Sequence, residues 1–208
     1  MVPLRSPGEG KSRLAGTLSV EARAALAGAM LADVAAALRG AAVDRIVVAA
    51  GGPAAVAAAA ALGLEAVSDP PGTRGLDAAL AAAHARIGPI GASLVVAADL
   101  PHLRPADVAA LLAADAHVAV APTTDGGTGG LLRRPADACG TAYGPGSAQR
   151  HLDLARAAGR RSQQVTVPGF AHDVDIAADL TGLRCHDRPP LGTFTTALLD
   201  QLDIADAS

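Results

Sequence analysis

Aromatic rings are almost missing from this sequence. It has no tryptophan, one tyrosine (Tyr143) and two phenylalanines, Phe170 and Phe194. Half of the 208 residues are hydrophobic by the broad count, so a core of that size must be built from Leu, Val, Ile and Ala, packed closely through small side chains. Lysine is scarcer than arginine: Lys11 is the only one. No block of basic residues occurs, and the net charge is -3 with a pI near 6.0, which argues against a broad cationic face for nucleic acid. The two cysteines, Cys139 and Cys185, lack a CxxC spacing and read as free thiols of a reducing cytosol. No signal peptide is visible, and the Ala-rich stretch 54–64 is too short to span a bilayer. The expectation is a cytoplasmic protein with neither a membrane nor a nucleic-acid partner. Several catalytic frames are also missing. Gly10-Lys11-Ser12 lacks the leading glycine of a Walker A loop, because position 5 is Arg5. No GxGxxG follows a strand, no GxSxG elbow occurs, and the six histidines show no zinc spacing.

Short β-branched runs alternate with long Ala/Leu segments, the pattern of βαβ units around a mainly parallel sheet covered on both faces. Strands are expected at 44–50, 65–68, 93–98, 117–121 and 164–167. Helices are expected at 19–38 with Ser19 as N-cap, then 53–62, 76–87, 105–114 and 147–158, with a further one running from Val174 to Leu180. The stretch TTDGGTGG from Thr123 to Gly130 reads as loop, because glycine punctuates both periodic patterns. A strand should precede Pro3, yet the chain starts at Met1, so that strand is expected to be only a few residues long. No repeat or linker divides residues 1–208; the expectation is one domain, its tail after about 184 partly loop with one more helix over 195–202.

Four stretches can carry chemistry. The opening loop delivers Arg5, Lys11 and Arg13 ahead of a helix, where cationic heads and backbone N–H groups can wrap a triphosphate. An ordinary basic surface loop would look the same. Asp99 ends a buried strand, the place where open α/β sheets hold ligands, and a carboxylate there suits magnesium. It would equally suit a cap of the next turn. In His172-Asp173-Val174-Asp175, Asp173 can supply a second carboxylate to the same ion, while Asp175 reads as a helix cap. Finally, Thr128 in the glycine-rich stretch, with Gly144 and Ser147 in YGPGS, offers small donors for a phosphate or carboxylate lying against the main chain. A plain turn fits these residues too.

Taken in order, VPLRSPGEGKSRLAG, GLDAAL, AADLPHL, GGTGGLL, YGPGSAQRHLDLARAAG and DVDIAADL resemble the 2-phospho-L-lactate or phosphoenolpyruvate guanylyltransferases of coenzyme F-420 biosynthesis. The resemblance runs from Val2 to about position 199. It implies a three-layer, Rossmann-like nucleotidyltransferase (GT-A-like) α/β fold with a mixed, mainly parallel sheet. It also implies magnesium as cofactor, GTP and a small phosphorylated carboxylic acid as partners, and it leaves a homodimer open. Carried over, Lys11 and Arg13 would face the GTP phosphates and Asp99 and Asp173 would hold the metal. Arg5, Thr128, Gly144 and Ser147 would hold the acceptor, and Gly75 and Asp77 would lie near the nucleoside. Some positions depart from the family's pattern. Thr124-Asp125-Gly126-Gly127-Thr128-Gly129-Gly130 stands for Arg-x-Gly-Thr-Gly-Thr-Asn. Gly75-Leu76-Asp77 stands for Gly-Leu-Asn, Asp173-Val174-Asp175-Ile176-Ala177 for Asp-x-Asp-Thr-Pro, and Arg5 for a lysine. The rival readings are a molybdopterin guanylyltransferase-like enzyme, whose usual LAGGxSxRMGxxK opening is absent, and an inert nucleotide-binding module.

Overall fold

The computed structural model describes residues 1–5, 11–185 and 187–202. The middle of the opening loop, 6–10, lies outside the described residues, as do His186 and residues 203–208 of the tail. In chain order the elements are β1 (Val2–Leu4), α1 (Val20–Gly40), β2 (Val47–Ala50), α2 (Pro53–Ala61), β3 (Glu65–Ser68), α3 (Leu76–Ile87) and β4 (Ser93–Val96). Then come α4 (Pro105–Leu112), β5 (Val118–Pro122), β6 (Thr128–Arg133), α5 (Ser147–Ala157), β7 (Ser162–Gln164), α6 (Ala177–Thr181) and α7 (Thr193–Gln201).

β1, β2 and β3 pair in parallel, while β6 runs antiparallel between β4 and β5, and β7 pairs in parallel with β5. Met1 joins the two groups: its nitrogen donates to the Leu94 carbonyl (2.6 Å) and its carbonyl accepts from the Val96 N–H (3.0 Å). The strand order is therefore 3-2-1-4-6-5-7, a mixed sheet.

Alternate strand residues point to opposite faces, and the two faces are buried under different helices. Val48, Ala50, Val96, Ala119, Ala121 and Leu132 pack with α1, α2 and α4. Ala49, Val95, Val118, Val120 and Leu131 pack with α3 and α5. That gives three layers made almost wholly of aliphatic side chains. A third cluster, with Leu14, Leu26, Met30, Val174 and Leu199, fills the space between α1 and the tail helices. Ser19 caps α1, its hydroxyl accepting from the Ala22 N–H (3.1 Å). Asp33 of α1 caps α7 from a distance, accepting from the Phe194 and Thr195 N–H groups (3.0 and 2.9 Å). Among the described residues no helix is long and apolar enough to cross a membrane.

Three expectations need correction. The stretch read as loop to Gly130 enters strand β6 at Thr128, so Gly129 and Gly130 are buried in the middle of the sheet. A β-carbon on Gly129 would lie 2.7 Å from the Phe170 carbonyl oxygen, and one on Gly130 would lie 2.7 Å from both the Phe170 ring and the Leu111 side chain. These glycines make room for a packed ring, which is the strand use of glycine rather than the turn use. The helix expected from Val174 starts only at Ala177, because Val174 donates its N–H to the Asp99 carbonyl (3.2 Å) and is held out of the helix. The strand expected over 164–167 is β7 at Ser162–Gln164, set by its register against Val118–Val120.

Candidate active site

Phe170 explains how two acidic stretches remote in sequence meet. It is fully buried, and its ring lies against Gly129 and Gly130, so the segment 168–175 crosses the C-terminal end of β4. The Thr124 N–H donates to the Ala171 carbonyl (2.9 Å) and the Val174 N–H to the Asp99 carbonyl, fixing that crossing from both sides. As a result Asp99, Asp173 and Asp175 each place one carboxylate oxygen within 4.8 Å of the other two.

Lys11 reaches into this cluster. Its Nζ donates to Asp99 Oδ2 and to Asp175 Oδ1 (2.8 Å). Burial pulls the Lys11 pKa down, but the Asp99 and Asp175 charges more than offset that, so it lies above the ordinary lysine value. Asp173 moves the other way. Burial first, then the negative charges of Asp99, Asp175 and Asp125, push its pKa up to about 6. One ammonium among three carboxylates leaves surplus negative charge, held by hard oxygen donors, a set that fits a divalent cation.

Asp175 is not the helix cap the sequence suggested. Asp179 has that role: its carboxylate accepts from the N–H groups of Asp175 (2.7 Å) and Ile176 (2.8 Å), which frees the Asp175 side chain for Lys11. The only signal for Asp175 in the sequence was its place two residues after Asp173.

The cluster opens onto a cavity of about 710 Å³ between the ends of β1 and β4 and the start of α3. Lys11, Asp99 and Asp175 line it, together with Arg5, Arg13 and Gly75. Gly75 begins α3 with φ at +82°, a conformation that suits glycine. The other sequence candidates stand elsewhere. Asp77 accepts the Tyr143 N–H (3.1 Å). Thr128 and Ser147 are buried and share a hydrogen bond (2.8 Å). Thr128 also meets His151 Nδ1 at 3.1 Å, and His151 Nε2 accepts from the Ala142 N–H (2.9 Å). That acceptance places the ring proton on Nδ1, an assignment made from the network. Burial pushes His151 down to about 4, so it is neutral. Gly144 is exposed at φ +114° in the loop above this network, and Arg150 clamps that loop through the Ala142 and Pro145 carbonyls. The two glycine-rich loops touch: the Ala148 N–H donates to the Gly126 carbonyl (3.3 Å). Asp125, at the tip of the β5–β6 connection, accepts from the Gly127 N–H (2.9 Å) and the Thr123 hydroxyl (2.5 Å).

Comparisons with known proteins agree on the fold and on the family. A family model described as Guanylyl transferase CofC like matches residues 1–205. The chain is 40% identical over 129 residues to a phosphoenolpyruvate guanylyltransferase of Conexibacter woesei, covering 58% of this chain and 57% of that protein. A protein of the same name from Sanguibacter keddieii is 39% identical over 146 residues, covering 66% of this chain and 50% of its own. The chain spans about half the length of the curated relatives it matches. Among solved structures, a Desulfovibrio desulfuricans protein assigned to the nucleotide-diphospho-sugar transferases aligns with a TM-score of 0.72 at 20% identity, over 97% of this chain and 93% of that one. A CMP:2-keto-3-deoxy-manno-octonic acid synthetase aligns with a TM-score of 0.57 at 19% identity, over 88% and 95% of the two chains. At such identities these two likenesses bear on the fold alone.

Proposed function

The chain belongs to the CofC-like guanylyl transferase family, and from that premise we propose that it transfers GMP from GTP to phosphoenolpyruvate, or to 2-phospho-L-lactate, with release of pyrophosphate in coenzyme F-420 biosynthesis. The observation that carries the reading is the meeting of Lys11 with Asp99, Asp173 and Asp175 on the edge of the 710 Å³ cavity. The relatives named phosphoenolpyruvate guanylyltransferase, at 40% and 41% identity, support the acceptor.

In this reaction a phosphate oxygen of the acceptor attacks the α-phosphorus of GTP. The bond from that phosphorus to the β-phosphate oxygen breaks, and pyrophosphate leaves. The acceptor phosphate is already ionised at neutral pH, so the chain needs no strong base. Its task is to align the two phosphates and offset their charge. Arg5, Lys11 and Arg13 supply the positive side chains along the cavity. Asp99, Asp173 and Asp175 would hold magnesium, which would supply positive charge to offset that of the phosphates. Gly75 and Asp77 would sit towards the nucleoside. Gly144 would present its main chain to the acceptor, over the Thr128–Ser147 pair that fixes the loop.

The test is mass spectrometry of products from phosphoenolpyruvate, 2-phospho-L-lactate and 3-phosphoglycerate, each with GTP or ATP and magnesium. The expected result is one guanylylated acid and one pyrophosphate per turnover. No pyrophosphate release with any of the three acids overturns the proposal and favours an inert nucleotide-binding module.

A further inference from the structure

The cavity does not stop at the acidic cluster. A second cleft of about 600 Å³ adjoins it, and the two share Gly51, Asp69 and Thr73. Pro53, Val56 and Pro70 give the second cleft apolar walls. Asp69 stands on the common wall. It follows the last residue of β3, and its N–H donates to the Ala50 carbonyl at the end of β2 (3.0 Å), so two neighbouring strands hold its backbone. The turn after it is closed by Thr73, whose N–H (3.1 Å) and hydroxyl (2.8 Å) both donate to the Pro70 carbonyl.

This frame presents an unsatisfied group. Asp69 Oδ1 is shielded from water and has no hydrogen-bond partner among the described residues. A shielded carboxylate oxygen without a donor is costly, and burial raises the Asp69 pKa accordingly. The other shielded side-chain atoms without partners, on Arg23, His84, His102 and Thr195, belong to residues that line neither cleft. Asp77, the carboxylate that the sequence placed near the nucleoside, is already engaged by the Tyr143 N–H.

Resting on the guanylyl-transfer reading above, we propose that Asp69 is the residue that reads the base: with its carboxylate turned about the Cβ–Cγ bond so that the shielded Oδ1 comes to the second cleft, its two oxygens accept from the N1–H and the 2-amino group of a guanine lodged there. Guanine offers two adjacent donors on that edge, matched to the two oxygens of one carboxylate. Adenine offers a donor beside the N1 lone pair, so one oxygen would face a lone pair and stay unpaired. The apolar walls take the ring faces. The triphosphate then runs from the shared wall into the larger cavity, towards Arg13 and Lys11.

The test is calorimetric titration of the whole chain, with magnesium and without acceptor, using GTP, ITP, XTP and ATP. Asp69→Asn and Asp69→Ala are measured beside the wild type. Inosine keeps N1–H and lacks the 2-amino group; xanthine keeps N1–H and replaces the 2-amino donor with an acceptor. The wild type should prefer GTP to ITP by about tenfold and to ATP by about a hundredfold or more. Asp69→Asn turns one acceptor into a donor. It should weaken GTP about a hundredfold and strengthen XTP at least about tenfold, a gain that damage to the fold does not produce. Asp69→Ala should leave the four nucleotides within about threefold of one another. A wild type that binds GTP and ATP alike, or an Asp69→Asn protein that weakens all four nucleotides equally, overturns the inference. Because no acceptor is present, selective GTP binding without product from any phosphorylated acid counts against the transfer reading and leaves the base-reading role standing.

Discussion

Two polar clusters flank strand β6 and follow opposite rules. Thr128, Ser147 and His151 form a buried, neutral network in which every contact has a partner at 2.8 to 3.1 Å. Asp99, Asp173 and Asp175 form a part-exposed cluster with three carboxylates for one ammonium, and Asp173 is pushed up to about 6 by burial and by its neighbours. The first is closed mostly on itself, with one hydroxyl proton still to give, and it ties the 142–147 loop to the sheet. The second is complete only when more positive charge arrives. A satisfied buried network stabilises and positions, whereas an unbalanced one is where ligands are received.

If that contrast is right, substitutions on the two sides should separate activity from stability. The largest effect belongs to Asp99→Asn, which should lower turnover about a thousandfold while the thermal midpoint holds or rises. Unchanged turnover would erase the distinction. Next is His151→Ala. It leaves the Ala142 N–H without a partner, takes one of two partners from the Thr128 hydroxyl and opens a void, so it should destabilise by about 2–4 kcal/mol in urea titrations, with turnover of the remaining folded protein within about tenfold of wild type. A thousandfold loss there would move the network into the reacting site. Gly130→Ala probes the link between the regions. Its new β-carbon meets Phe170 and Leu111 at 2.7 Å, so it should cost about 1–3 kcal/mol and also lower activity by displacing the 168–175 segment.

The smallest effect is a pH dependence of stability. Asp173 titrates near 6 when folded, against 3.8 for an ordinary aspartate, so the folded chain binds the extra proton between those values. Without magnesium its contribution to stability is fully present below about pH 4 and is lost as pH rises through about 6. Asp173→Asn should therefore stabilise the metal-free protein at pH 7.5 by about 1 kcal/mol, after allowing for solvent screening of a part-exposed group, and should do nothing at pH 4. Thermal melts in EDTA at the two pH values decide it. Equal melts at both would mean that the cluster is not short of positive charge.

Much of the fold is legible along the chain. Helix α3 begins at Leu76, where Gly75 opens the turn, and ends at Ile87; strand β3 runs over Glu65–Ser68; Ser19 caps α1. Each of these depends on neighbours within a turn or two: a cap, an apolar period, a breaking glycine. Gly129 and Gly130 could not be read that way, because what makes them strand residues is a phenylalanine 40 positions on. The candidate site divides along the same line. Lys11 stands out from the sequence as the sole lysine, Asp99 by its place at the end of a buried strand and Asp173 by the DVDIAADL stretch it opens. That neither Asp173 nor Asp175 caps α6, and that both join Asp99, was decided by Asp179 and by the Val174–Asp99 hydrogen bond. The lone unsatisfied oxygen of Asp69 is likewise invisible without the surrounding walls.

The sequence by itself therefore determined the alternation of strands and helices, the aliphatic core and the residue types available for charge. The tertiary structure alone decided which carboxylates share a space, which hydroxyls are sealed beneath a loop and which acid is left without a donor. The reason is physical: periodicity and capping act over a few residues, but charge balance and burial depend on distances that only the packed chain sets.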